Sequence, residues 1–338
     1  DVMAIKRQSP VLVPYRAAGE FSFNRGAAAT LQWGRWEVTA FFSAKKFSGN
    51  LVTDSLVRFS SFGTSGYYRN STEIADRYKI TDVSAGGSVA YQHSSLKIGV
   101  NAVAHHFSLP LQKRDEPYNR FAPAGNDLLL LSADYGYTFR NVHIFGEAAM
   151  DPQRHHALVQ GALVSLDPKM DLSLFYRNIQ KEYQSSFGSA FTESTLPSNE
   201  EGLYAGLQVR PATRWQIATY ADLYSFPFIK YRVSSPTRGR DYLVQVNYAP
   251  DKQTEMYLRI RSETKPLNEA GAGLAIQFPS DVVKQSLRVN LTAVLSRFLS
   301  VKGRTEVVWF RQNQRKETGV LVFVETGYTP RAQWRTNL

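Results

Sequence analysis

Apolar and other side chains alternate along most of this chain with a period of two, in stretch after stretch of about nine to twelve residues. Successive side chains of a strand point to opposite faces, so each stretch makes one apolar face and one mixed face. From Trp36 to Ser43, Trp36, Val38, Ala40 and Phe42 oppose Glu37, Thr39, Phe41 and Ser43. From Leu129 to Phe139, Leu129, Leu131, Ala133, Tyr135, Tyr137 and Phe139 oppose Leu130, Ser132, Asp134, Gly136 and Thr138. Met256, Leu258 and Ile260 oppose Glu255, Tyr257, Arg259 and Arg261, and Leu287 to Leu295 alternate with Arg288, Asn290 and Thr292. About fifteen such stretches occur, and no helical pattern longer than about three turns. The pattern predicts an all-β chain.

The links between stretches carry a second signal. Short, turn-like links fall at Gly34-Arg35, Gln92 to Ser95, Arg140-Asn141, Asp167 to Lys169, Arg210 to Arg214, Ala249 to Lys252 and near Ser296 to Ser300. Their Gly, Pro, Asn and Asp supply turn geometry that strand residues resist. Longer polar links span Lys45 to Thr81, Ser108 to Asn126, Lys181 to Glu201, Ser225 to Arg240 and Ser262 to Val283. Asp151 to Arg154 and Arg311 to Thr318 break the alternation by being short. Alternating short and long links place the long ones at one end of an up-and-down antiparallel sheet, as in outer-membrane barrels with tight periplasmic turns and long extracellular loops.

Two all-β readings compete. A soluble sandwich or propeller uses strands of about five or six residues, with no asymmetry between the two ends. The stretches here suit the ~9–11 tilted residues that cross a hydrocarbon layer. Aromatic residues gather at their ends: Trp33, Trp36, Tyr135 to Phe139, Trp215, Tyr248, Trp309 and Tyr328. Amphipathic rings at both rims of an apolar band are expected at a lipid–water boundary. The sequence therefore predicts an antiparallel up-and-down transmembrane β-barrel in a bacterial outer membrane. It is one domain over residues 1–338, with residues 45–81 as a long extracellular loop. Bacterial barrels generally have an even strand number, and about fifteen strands plus a short segment from Arg331 to Leu338 fit part of a larger barrel. A start at Asp1, without initiator Met or apolar leader, fits a processed protein or a fragment.

Composition narrows the chemistry. At 43% hydrophobic and 20% charged residues the chain is too apolar for disorder. It has no apolar run near the ~18 residues that a transmembrane helix requires. The absence of cysteine removes disulfides, thiolate metal sites and thiol nucleophiles. No cofactor is expected. The net charge of +11 leaves some cations without acidic partners, in the lumen or in loops and turns.

Five stretches stand out: Asp1 to Tyr15 (DVMAIKRQSPVLVPY), Arg25 to Lys45 (RGAAATLQWGRWEVTAFFSAK), Thr64 to Arg77 (TSGYYRNSTEIADR), ALVSLDPKMDLSLFYRN and FPFIKYRVSSPTRGRDYLVQVNYAP. They resemble a family of large outer-membrane proteins of Gram-negative bacteria, the helix-hairpin-helix domain-containing proteins. The resemblance implies an outer-membrane barrel. It also implies competence-type helix-hairpin-helix repeats ahead of it, and further strands before and after. Such repeats hold nucleic-acid phosphate at helix N-termini. None occurs in this sequence, so any DNA binding or uptake would belong to segments outside the chain. No catalytic motif defines the family's activity.

Lys97, Arg177, Arg259, Arg261, Arg288, Lys302 and Arg304 all fall on the mixed faces. A charge facing lipid at mid-depth costs ~2–4 kcal/mol, so these side chains belong to the interior or a rim. One reading is a basic lumen that favours anions. The other is an interior ladder in which Glu37, Glu147, Glu255, Glu306 and Glu325 pair with them. In the long loop, Tyr67, Tyr68, Arg69, Glu73 and Arg77, with Asp76, suggest either a recognition surface or a segment folded inward over the lumen.

His105-His106 and His155-His156 do not suggest a metal, because neighbours in a strand point to opposite faces. Ser84, Ser88 and Ser132 occupy mixed faces outside any nucleophile motif. Gly63 to Gly66 is no nucleophile elbow, and Gly271-Ala272-Gly273 lacks the helix a phosphate loop requires. The expectation is a non-enzymatic barrel, a channel or a scaffold in an envelope assembly. Its partners would be outer-membrane lipid and other envelope proteins. A membrane-embedded hydrolase and a pure partner-binding module are the alternatives.

Overall fold

The computed structural model describes residues 2–7, 10–15, 21, 23–54, 56–269, 278–331 and 334–337. The chain forms two compact units. An N-terminal unit comprises Lys6–Gln160 with Arg177–Glu200, and a C-terminal unit comprises Asp1–Ile5, Gly161–Tyr176 and Glu201–Leu338.

In the N-terminal unit the elements are β1 (Gly26–Trp33), β2 (Trp36–Phe47), β3 (Gly49–Thr53), β4 (Val57–Phe62) and the short helix α1 (Ser71–Ala75). Then come β5 (Ile80–His93), β6 (Leu96–Leu111), β7 (Gly125–Phe139) and β8 (Val142–Met150). β1 pairs with β2, β2 with β5, β5 with β6, β6 with β7 and β7 with β8, all antiparallel. β9 (His156–Asp167) and β10 (Met170–Ile179) have residues in both units.

The C-terminal unit continues with β11 (Glu200–Ala212), β12 (Trp215–Phe226), β13 (Thr237–Tyr248) and β14 (Thr254–Asn268). β15 (Pro279–Ser296), β16 (Leu299–Gln312), β17 (Arg315–Arg331) and β18 (Trp334–Asn337) complete it. From β11 onward each strand pairs antiparallel with the next. This is the all-β, antiparallel, up-and-down architecture the alternation predicts. α1 is five residues long, capped by Asn70, whose Oδ1 accepts from the Glu73 N–H at 2.8 Å.

Tight turns stand at the short links. Gly34, Ser94, Arg140 and Asn313 each open a two-residue turn with a positive φ near 50–60°, the backbone that hairpins matched to strand twist require at that position. Gly34 alone takes it without a Cβ penalty. The longer links are shorter than the apolar pattern suggests. β14 and β15 remain paired out to Asn268 and Pro279, so most of Ser262 to Val283 is strand. Polar strand ends carry no apolar alternation, and periodicity cannot see them. Residues 45–81 likewise include the end of β2, the β3–β4 hairpin, α1 and the start of β5. Gly271-Ala272-Gly273 lies outside the described residues.

The two faces are inverted relative to a water-soluble protein. Val320, Val322 and Val324 on β17 are 68%, 66% and 67% exposed, and Leu258, Ile260, Val289, Phe42 and Val100 on other strands are also exposed. Meanwhile Ser43, Asp82, Ser84, Ser173, Arg177 and Glu200 are buried. The apolar core of the N-terminal unit is small and local: Phe47, Phe59, Ile80, Phe107 and Leu111, with Phe21, Leu51, Phe62 and Leu109 around them.

Candidate functional site

The polar faces of the two units hold the charged side chains that the pattern singled out. Five of the seven basic residues lie in the C-terminal unit, on β14, β15 and β16, and strand register sets their neighbours. Arg259 faces Arg288 across β14 and β15, and Arg288 faces Glu306 across β15 and β16. Asn290 faces Arg304, and Lys302 faces Glu325.

Most of these cations are neutralised. Arg288 holds Glu306 in a two-point pair, Nε to Oε2 and Nη2 to Oε1, both at 2.9 Å. Arg261 does the same with Asp241 at 3.0 and 2.7 Å. The Tyr220 hydroxyl donates to the same carboxylate at 2.7 Å. Glu263 lies 3.8 Å from Arg261 and 2.5 Å from Lys265. Lys302 and Glu325 are 3.4 Å apart. Parallel fork-to-fork bonds of this kind fix orientation as well as charge.

Arg259 and Arg304 differ. Arg259 Nε donates to the Gln245 side-chain carbonyl at 2.6 Å, and its guanidinium lies 5.3 Å from the Tyr257 ring centre. Arg304 Nε donates to Asn290 Oδ1 at 3.2 Å, and its guanidinium lies 5.4 Å from the Phe323 ring centre. Neither has a carboxylate partner among the described residues. Both sit between apolar-face residues: Arg259 between Leu258 and Ile260, Arg304 between Gly303 and Thr305, whose β17 partners are Val324 and Val322. The uncompensated charge therefore lies at the height of the apolar band. Glu255, which has no ion pair among the described residues, is four residues from Arg259 along β14, about 13 Å at strand rise.

Of the acidic partners anticipated from sequence, Glu306 and Glu325 pair with basic residues, whereas Glu37, Glu147 and Glu255 form no ion pair with a described residue. The partners that sequence reading missed are Asp241, Glu263, Glu200, Gln245 and Asn290. Alternation does place Asp241, Gln245 and Asn290 on the polar face, but it cannot supply the inter-strand register that joins them to a given arginine.

Lys97 and Arg177 belong to the N-terminal unit. Arg177, expected to line a lumen, is fully buried. Its Nε donates to Glu200 Oε1 at 2.6 Å, and both side chains are 0% exposed. Glu200 also accepts from the backbone N–H groups of Glu193 and Ser194 at 2.9 and 3.0 Å. This carboxylate thus anchors the β10–β11 link, residues 180–199, to the strand ends. The same link brings Phe187 onto the polar face. Its ring stacks on His105 with centres 4.4 Å apart and meets Phe62 at 5.5 Å. Burial pushes the Tyr183 phenol, on this link, up to about 12, with the Glu147 carboxylate adding to the rise.

His105 and His106 are parted by the strand, as expected. His105 Nδ1 lies 3.1 Å from the buried Asp82, and His106 Nδ1 lies 2.7 Å from the exposed Asp127. Ser84 faces His105 across β5 and β6, yet its buried hydroxyl makes no hydrogen bond. Asp82, His105 and Ser84 therefore do not form a hydrogen-bonded relay.

The long loop satisfies itself. Tyr68 bonds Ser48 at 2.8 Å, and the Arg77 guanidinium lies 4.6 and 4.9 Å from the Tyr68 and Tyr78 ring centres. Arg69 pairs with Glu73 at 3.5 Å and lies 5.2 Å from the Tyr67 ring centre. Tyr67 is left exposed. The β3–β4 hairpin folds back so that Phe59 meets Phe47 and Phe107 at 5.7 and 5.6 Å.

No protein-family model matches the chain, and no curated protein matches it. Solved structures do. OccK3 (OpdO) of Pseudomonas aeruginosa is 12% identical and is matched over 92% of this chain and 79% of its own, with a TM-score of 0.42. OpdQ of Pseudomonas aeruginosa is 10% identical over 93% and 81%, with a TM-score of 0.43. An anion-selective porin from Comamonas acidovorans is 10% identical over 90% and 100%, with a TM-score of 0.38.

Proposed function

We propose that this chain is a non-enzymatic outer-membrane β-barrel protein that conducts small solutes and favours anions. The outer membrane follows from the inverted faces. Soluble monomers seldom expose contiguous apolar patches beyond a few hundred Å², and here strand after strand presents one. Acyl chains cover such rows without cost, and the strand lengths suit that layer. The polar faces then line an aqueous path.

The observation that carries anion preference is the pair Arg259 and Arg304, the two guanidiniums of the β14–β16 face bonded to neutral amides. Fixed positive charge in a narrow polar passage raises the local concentration of anions. A link to nucleic acid through helix-hairpin-helix repeats would require residues outside this chain, and no residue described here argues for it. Reversal potentials in planar bilayers under a potassium chloride gradient test the proposal. The wild-type protein gives an anion-selective potential, and Arg259→Glu with Arg304→Glu moves it towards cations. A protein that carries no current, or a potential unmoved by the double substitution, contradicts it.

A further inference from the structure

A cavity of about 240 Å³ lies within the N-terminal unit, between the polar face of its strands and the β10–β11 link. Val103, Leu130, Ala149 and Ile179 on the strands and Phe187 and Pro197 on the link make its walls mostly apolar. Pockets for drug-sized ligands run to ~300–1,000 Å³, so this one suits a single ring or branched chain with a short tail.

Of the polar side chains that line it, Asn101, His105 and Glu147 offer acceptor atoms, and Ser132, Tyr183, Ser185 and Ser189 offer hydroxyls that can accept as well as donate. Asn101 spends its amide hydrogens on Ser132 at 3.2 Å and Asp134 at 2.9 Å, which leaves its carbonyl oxygen available. His105 is held by Asp82, with Nδ1 3.1 Å from its carboxylate. Glu147 lines the cavity and makes no hydrogen bond or ion pair with a described residue. An apolar chamber lined by a carboxylate and the Asn101 carbonyl selects a ligand that is apolar at one end and a cationic donor at the other.

We propose that this cavity binds a small organic ammonium ion carrying one aromatic or branched aliphatic group. Its ammonium meets Glu147 and the Asn101 carbonyl, and its apolar part lies among Val103, Leu130, Ala149 and Phe187. The site is independent of the Arg259 and Arg304 stripe, which belongs to the other unit.

Calorimetric titration of the folded full chain in detergent with 2-phenylethylammonium, and separately with the uncharged isostere 2-phenylethanol, tests the proposal. The ammonium binds saturably and about tenfold or more tighter than the alcohol, the margin of one charge-assisted contact. Glu147→Gln removes that margin, and because Glu147 supports no neighbour the variant melts like the wild type. Ala149→Phe, which fills the chamber, abolishes binding of both probes. Absence of saturable binding, equal affinity for both probes, or a Glu147→Gln protein that binds like the wild type overturns it.

Discussion

Arg259 and Arg288 face each other directly across β14 and β15, and only Arg288 has a carboxylate. The arrangement makes ion selectivity a matter of single pairs. Glu306→Gln frees the Arg288 guanidinium and deepens anion preference, whereas Arg259→Gln lessens it. Reversal potentials read both changes. The preference also fades towards 1 M salt, where the screening length falls to ~3 Å.

The Arg177 and Glu200 pair predicts a stability effect. Loss of one partner of a buried pair costs ~3–5 kcal/mol, because the other charge remains desolvated. Arg177→Met therefore lowers the unfolding midpoint in urea well below that of the wild type, and Arg177→Met with Glu200→Gln recovers part of the loss. Equal midpoints for wild type and Arg177→Met would show that the pair is solvated.

Phe187 fastens the β10–β11 link to the polar face through His105, Phe62 and Phe21. Aromatic pairs contribute ~0.5–1.5 kcal/mol each beyond buried area. Phe187→Ala loosens the link without unfolding the strands. Trypsin cuts after Lys181 faster in the variant, while β-sheet circular dichroism stays the same. Unchanged cutting means that Glu200 alone holds the link.

One pH effect belongs to the long loop. The Arg69 backbone N–H, 2.6 Å from Glu73 Oε2, holds the Glu73 carboxyl below the usual glutamate value, and the Arg69 guanidinium assists. A lowered carboxylate value stabilises the loop above the unfolded glutamate range, and the contribution is lost as pH falls through the folded value. Carbon NMR of the Glu73 carboxyl shows a midpoint below that of a model glutamate. Arg69→Ala leaves the backbone bond and so restores only part of the shift. A model-like midpoint in the wild type contradicts the contact.

Much of the fold was legible because alternation over Trp36 to Ser43 or Gln285 to Leu295 reports directly on a two-faced strand. The β14 and β15 extensions to Asn268 and Pro279 were hidden, since their side chains do not alternate in hydropathy. The basic residues could be assigned to the polar face one by one, yet their partners depend on register. Sequence alone therefore did not separate Arg288, which is neutralised, from Arg259, which is not. Arg177 shows the same limit: on its face it resembles the others, and the returning link turns it into a buried anchor.

Transport depends on the apolar rows meeting acyl chains. Because the chain has no cysteine, spin labels can be introduced singly at Val322→Cys on an apolar face and Ser286→Cys on a polar face. Electron paramagnetic resonance power saturation in lipid bilayers then compares oxygen with a water-soluble nickel chelate as relaxing agents. The label at 322 is expected to respond to oxygen and not to the chelate, and the label at 286 to show the reverse. A label at 322 that meets the chelate freely, or is shielded from both agents by packed protein, would contradict it.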